Sequence, residues 1–360
     1  MISSVEFKRI EIAMKKPFVI AIGSTSVYEG YIVKVKTDDG YEGIGEAVPT
    51  PHIMGDTMGS VENELGIFQK NIVGMEVSPE RINEKMFSLA RNSKASRAAV
   101  DMAIWDIIGK KAKLPVHSIL GNYRSEFETS YTVDLVEPEV AGREAAELLK
   151  DGVVVFKIKL GSGLEKDYAR VERVRKIVGD DKEVYVDFNQ SYSAKKAIAL
   201  SERISKFNIE FLEQPVPAND VRALRFVREH TSIPVMADEA VMSPQDAATI
   251  IQNEAADMIN LKLMKSGGIT DGLTIIKTSQ SFRIPVMVGC MVETRLANTA
   301  GLHLALSQPA VKYTDLDGFS SLKEDIVNGG ISFKNGKNSL GDGPGLGVNL
   351  KKVIEGIFLD

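Results

Sequence analysis

The 360-residue sequence predicts an α/β protein in which an α+β module, ending near Gly121, precedes a parallel β/α barrel. Three observations predict it. Short apolar runs recur after Gly121 at a near-constant interval, from Lys159 to Asp187 (28 residues), to Glu213 (26), to Asp238 (25) and to Lys262 (24). The polar residues of these runs gather at one end of each run. No glycine-rich phosphate turn sits near the first strand, where a doubly wound sheet would normally carry one.

The first third contains the α+β elements. GYIVKVKTDDGYEGIGEAVP alternates apolar and polar residues around Asp39-Gly40, a hairpin signal, while VENELGIFQKNIV and ASRAAVDMAIWDIIGKKA carry apolar residues at helical spacing. Beyond Gly121 the runs TSYTVD, VVVFKIK, EVYVDF, IEFLE, IPVMAD, DMINLK, IPVMVG and VKYTDLD read as strands. Amphipathic segments such as DYARVERVRKIVG, AKKAIALSERISKF and VRALRFVREHT separate them and read as helices. GDGPGLG follows no strand and precedes no convincing helix, so it reads as an irregular loop.

Composition narrows the functional classes. With 44% hydrophobic and 26% charged residues the chain can bury a large core, and a net charge of −5 argues against nucleic-acid or anionic-membrane partners. The lone Cys290 excludes an intramolecular disulfide and fits a reducing compartment. MISSVEFKRI lacks the apolar core of a signal peptide, and no run reaches the length of a membrane span, so a cytoplasmic location is expected.

Lys157 and Lys159 stand two apart in an apolar strand and so share one face. Solvent-facing lysines on an edge strand would explain an isolated segment. The whole set of strand ends is harder to explain that way: Lys157 and Lys159, Asp187 with Asn189, Glu213, Asp238 with Glu239, Lys262, Glu293 just past its strand, then Asp315 and Asp317. In a barrel these ends meet at the face that carries the active site, although any single acid could instead cap the following helix. Asp187, Glu213 and Asp238 on successive strands would repel one another without a cation, and all-oxygen ligation suits a hard ion such as Mg²⁺. His52, His117, His230 and His303 lie away from these ends, which disfavours zinc. Lys159 and Lys262 would flank the ion as acid/base groups, with Lys157 and the ion helping to keep Lys159 partly neutral and Lys157 free to contact a substrate carboxylate. The implied chemistry is removal of a proton next to a carboxylate.

The motifs KIK (157–159), DFN (187–189), EQP (213–215), ADE (237–239), NLKLMKSGGI (260–269) and the closing DGPGLGV resemble those of the enolase superfamily, muconate-lactonizing subgroup, over essentially the whole chain. Sites of that superfamily set a Lys or His base beside Mg²⁺. The resemblance implies an N-terminal capping domain (1–121, completed by roughly 321–360), a (β/α)7β modified TIM barrel (122–320) and a homo-oligomer. It also implies Lys159 and Lys262 as acid/base lysines and Asp187, Glu213 and Asp238 as Mg²⁺ ligands.

GCMVET (289–294) and DLD (315–317) are similar to the marks of dipeptide epimerases, which invert the C-terminal residue of an L,X dipeptide. Two acids at period 2 can clasp a free ammonium, so Asp315 and Asp317 are expected to bind substrate; by itself DLD would read as a turn before Gly318. By resemblance, Thr132 and the backbone around Cys290 also contact substrate. Relatives acting on Ala-Glu carry an arginine in the first cap loop, whereas this sequence has Gly23 between Ile22 and Ser24, so a non-acidic C-terminal residue is expected. N-succinyl amino acid racemase, o-succinylbenzoate synthase and muconate cycloisomerase share the lysines and acids, and a catalytically silent metal-binding barrel is the alternative of another class.

Overall fold

The computed structural model describes residues 1–21 and 23–358; Ile22, part of the expected cap-loop position, lies outside them. The chain opens with an antiparallel sheet, β1 (Ile2–Ile20), β2 (Gly23–Thr37) and β3 (Glu42–Ala47), in that order. The expected hairpin joins β2 to β3, and Gly40 takes a φ of 86° that glycine adopts without a steric penalty. Helices α1 (Pro51–Met54), α2 (Met58–Ile72), α3 (Pro79–Leu89), α4 (Lys94–Ala112) and α5 (Val116–Leu120) follow. Helix α4 is buried on nearly every side because it lies between this sheet and the barrel. The approach to β3 is close enough that a Cβ on Gly45 would stand 1.9 Å from the Ala99 carbonyl oxygen.

After β4 (Glu126–Glu128) the barrel runs β5 (Ser130–Val133), α6 (Pro138–Lys150), β6 (Val155–Lys159), α7 (Leu164–Val178), β7 (Glu183–Asp187), α8 (Ala194–Ile204) and β8 (Leu212–Glu213). It continues through α9 (Val221–Glu229), β9 (Val235–Ala237), α10 (Pro244–Gln252), β10 (Met258–Lys262), the single turn α11 (Leu263–Ser266), α12 (Ile269–Ser281), β11 (Val286–Gly289), α13 (Arg295–Ser307) and β12 (Val311–Asp315). The eight strands β5 to β12 lie side by side in chain order and pair in parallel, which is the (β/α)7β arrangement the motifs implied. Side chains bridge the first and last strands. Thr129 Oγ1 accepts the Leu316 N–H at 3.1 Å, Ser130 Oγ donates to Asp315 Oδ1 at 2.9 Å, and the Thr132 N–H donates to Asp317 Oδ2 at 2.9 Å.

The barrel interior is layered with the period of two that strands impose. Val155, Tyr185, Phe211, Met236, Met258 and Met287 form one apolar cluster, with Tyr313 against it. Two residues further along the same strands come Lys157, Asp187, Glu213, Asp238, Asn260, Gly289 and Asp315; two further again come Lys159, Asn189, Lys262 and Asp317. A single register therefore turns an apolar floor into a charged upper layer. Gly289 is the one position in the middle layer without a side chain, and a Cβ there would stand 2.7 Å from Asn260 Oδ1.

Past β12 the chain forms β13 (Val327–Gly329), β14 (Ser332–Lys334), β15 (Lys337–Ser339), β16 (Val348–Leu350) and α14 (Lys352–Gly356). This tail returns to the first sheet and its helices: the Val116 N–H bonds the Gly345 carbonyl, the Leu346 N–H bonds Asp106 Oδ1, and Glu355 pairs with Lys34 at 2.8 Å. Among the described residues no helix is long and apolar enough to cross a membrane.

Candidate active site

A cavity of about 720 Å³ opens over the charged end of the barrel. Lys157, Lys159, Lys262, Thr132, Cys290, Asp315 and Asp317 all line it, together with cap residues of the segments 15–29 and 48–58. The structure thus gathers every expected substrate-contact residue and both expected acid/base lysines around one space. Asp187, Glu213 and Asp238 form the wall behind it, fully buried, each offering an oxygen within 4.8 Å of the others.

Strands β6 and β10 are the second and sixth of eight, so their inward side chains face each other across the ring. Lys159 Nζ lies 2.7 Å from Asp187 Oδ2, and Lys262 Nζ lies 2.9 Å from Asp238 Oδ2, so the lysines stand at the two ends of the carboxylate triad. Lys157 is placed differently from the expectation of a free charge beside Lys159. Its Nζ contacts Asp315 Oδ2 at 2.8 Å, Glu213 Oε2 at 2.9 Å and Asp187 Oδ2 at 3.1 Å. Burial opposes protonation of Lys157, but these three acids raise its pKa well above that of free lysine.

The acids divide according to their neighbours. Burial works against ionised Asp187, yet Lys159 and Lys157 outweigh it and hold the group down at about 2. Asp238 is likewise lowered, against its burial, by Lys262 and Lys265. Glu213 goes the other way: burial, then Asp187, push it up to about 8 despite Lys157. The lysines therefore leave one carboxyl of the triad short of positive charge. Glu213 Oε2 and Asp238 Oδ2 also accept no hydrogen bond, although each has a lysine within ion-pair distance. Three converging carboxylates, two with oxygens free to ligate, fit a hard divalent cation.

Several residues of the site carry no plain signal in the sequence. Asn260 Nδ2 donates to Glu213 Oε1 at 2.8 Å; alternation along NLK places it on the face of Lys262, which is the signal that could have found it. Lys265 Nζ reaches Asp238 and the Asn260 carbonyl, and it follows the strand in a single helical turn where no periodicity points inward. Gln214 Oε1 accepts the N–H groups of Asp238 and Ala240, fixing the loop that carries the third acid. His52, read as lying away from the chemistry, lines the cavity, and its ring is 3.3 Å from where a Cβ on Gly23 would be. Cys290 is buried and its thiol is pushed well up by burial and the nearby acids, which makes it an uncharged wall at neutral pH.

Known proteins share this architecture and sequence. Residues 4–121 match the mandelate racemase/muconate lactonizing enzyme N-terminal domain, and residues 140–354 match the enolase C-terminal domain-like family. The chain is 35% identical to a hydrophobic dipeptide epimerase of Enterococcus faecalis, covering 97% of this chain and 99% of that one. It is also 35% identical to an L-Ala-D/L-Glu epimerase of Clostridium acetobutylicum, covering 97% and 98%. The crystal structure of the Enterococcus faecalis dipeptide epimerase with Mg and L-Leu-L-Tyr superimposes with a TM-score of 0.95 at 35% identity, over 97% of this chain and 99% of that chain. By sequence and fold alike, the chain belongs to the enolase superfamily, with the N-terminal domain of the mandelate racemase/muconate lactonizing enzymes.

Proposed function

We propose that the protein is a Mg²⁺-dependent epimerase acting on the C-terminal residue of L,X dipeptides, with X non-acidic. The observation that carries this reading is the pair of buried lysines, Lys159 and Lys262, facing one cavity from opposite sides of the barrel ring. An α-carbon held between them exposes its hydrogen to one amine while the other stands behind it. One lysine removes the proton, leaving an enediolate, and the other returns a proton from the far face; with the roles exchanged, the opposite epimer is processed.

Asp187, Glu213 and Asp238 would hold the ion, which when bound supplies positive charge to the substrate carboxylate and so acidifies the α-hydrogen. Lys157 ties Asp187, Glu213 and Asp315 together, so its ammonium offsets part of the negative charge of these acids beside the developing anion. Asp315 and Asp317 are assigned to the dipeptide ammonium, and Thr132 and Cys290 to the walls beside it. The motifs and the cap contacts of the tail support a division into a cap of residues 1–121 plus roughly 321–360 and a barrel of residues 122–320.

The cavity supports the choice of X. Relatives equally similar to this chain bear names for hydrophobic dipeptides and for Ala-Glu, so identity does not separate them. Phe18, Ile20, Val48, Ile53, Met58 and Met291 line the cavity, and among the described residues no arginine does. A second substrate carboxylate would meet no bidentate partner there.

Purified protein with Mg²⁺ and a panel of L-Ala-L-X dipeptides in deuterium oxide tests the reading. Mass gain at the α-position of X is expected, fastest for apolar X, with L-Ala-L-Glu at least about tenfold slower. Lys159→Ala and Lys262→Ala should each reduce epimerisation by about 10³-fold or more, the scale for loss of a general acid or base. Preference for L-Ala-L-Glu would refute the specificity, and activity surviving both lysine changes would refute the mechanism.

A further inference from the structure

Asn189 and Glu239 have no part in the chemistry above, yet both are buried and linked in a chain of hydrogen bonds to Lys159. Asn189 lies two residues past Asp187 with φ at 40°, in left-handed backbone that asparagine tolerates better than most residues. Its own N–H donates to Asp187 Oδ1 at 2.8 Å, which locks this conformation. The side chain then bridges two partners: Oδ1 accepts from Lys159 Nζ at 3.0 Å, and Nδ2 donates to Glu239 Oε1 at 3.2 Å.

The direction of that amide is decided chemically. The lysine amine donates to the amide oxygen and Glu239 Oε1 accepts from the amide nitrogen, so the two partners together fix which way the amide points. Without Glu239 the amide would lose the acceptor that orients it and would be free to turn its NH₂ toward Lys159. Lys159 has a second contact in Asp187, but that carboxylate is assigned to the ion; Asn189 is the Lys159 partner that belongs to no proposed ligand set. No equivalent holds Lys262, whose Nζ among the described residues has the ion pair with Asp238 and no side-chain amide.

We propose that Glu239, acting through Asn189, is a positioning residue that aims the Lys159 amine at one face of the substrate α-carbon. The inference rests on the two-lysine reading above. Its consequence is asymmetric: losing the relay impairs proton transfer on the Lys159 face and leaves the Lys262 face nearly untouched.

The test uses Glu239→Leu and, should that variant fold poorly, Asn189→Gly, which accepts left-handed backbone and removes the bridge. Rates of α-deuterium incorporation into the two epimers of one dipeptide are measured separately at saturating Mg²⁺, and Mg²⁺ affinity is measured by calorimetry on each variant. The expected result is a fall of about tenfold or more in the exchange of one epimer, with the other within about twofold of the parent protein. Equal losses for both epimers would mean general damage to the carboxylate site and would overturn the proposal, as would an unchanged ratio. A parent protein that exchanges neither epimer would instead overturn the epimerase reading, and this one with it.

Discussion

Glu293 is a buried carboxyl group that accepts the Met291 N–H at 2.9 Å. Burial, opposed by that bond and reinforced by the nearby Glu46, pushes it up to about 8, from the ordinary value of 4.5. The folded protein therefore keeps a proton that the unfolded chain releases, and stability attributable to this group falls as pH rises from about 4.5 to about 8. Glu293→Gln keeps the acceptor and cannot ionise. Its unfolding free energy from urea titration should match or trail the parent's near pH 4.5 and exceed it above pH 8, by on the order of 2 kcal/mol; a constant difference across pH would contradict this. At this scale the sequence disclosed residues that obey strand alternation, such as Lys157, Lys159 and Asp187, because a period of two needs only local chain to be read. Lys265 and Gln214 stand inside the quoted motifs, but their roles were opaque because a single helical turn and the end of β8 bring them to Asp238 only in the folded barrel.

Helices α12 and α13 begin under carboxylates from the cap. Asp101 of α4 accepts the N–H groups of Ile269 (2.6 Å) and Thr270 (3.1 Å), and Glu46 of β3 accepts those of Thr294 (2.8 Å) and Ala297 (3.0 Å). These are the orphan amides of a helix start, and here the capping group comes from far away in sequence. Gly268, in the SGGI stretch, has no side chain to offer, and a Cβ on it would stand 2.4 Å from Asp101 Oδ2. The motif was visible in the sequence, but its cause was not, since Asp101 is 167 positions earlier. Asp101→Ala should cost about 1–2 kcal/mol in denaturant unfolding and increase amide exchange at Ile269 and Thr270. Unaltered exchange at those two amides would show that the helix start does not depend on Asp101.

Over the whole molecule, the barrel was legible because each strand–helix unit repeats, and the cap hairpin because Asp39-Gly40 marks its turn. The seam between β5 and β12 was not, since hydroxyl and carboxylate side chains bridge it and no repeat encodes them. The electrostatics of the triad set a global prediction. Chelation should lower the melting temperature and added Mg²⁺ should raise it, stabilising the fold by about 2.7 kcal/mol at one hundred times the dissociation constant. Glu213→Ala should abolish that dependence; a melting curve still responsive to Mg²⁺ in this variant would place the ion elsewhere.

The return of the tail has a consequence for truncated chains. Asp106 receives the Leu346 amide, and the Val116 N–H bonds the Gly345 carbonyl, so two helices of the N-terminal region are tied to residues more than 200 positions later. A variant cut after residue 340 would therefore leave the Asp106 carboxylate without the Leu346 amide and the Val116 N–H without the Gly345 carbonyl, loosening α4 and α5 far from the site of the cut.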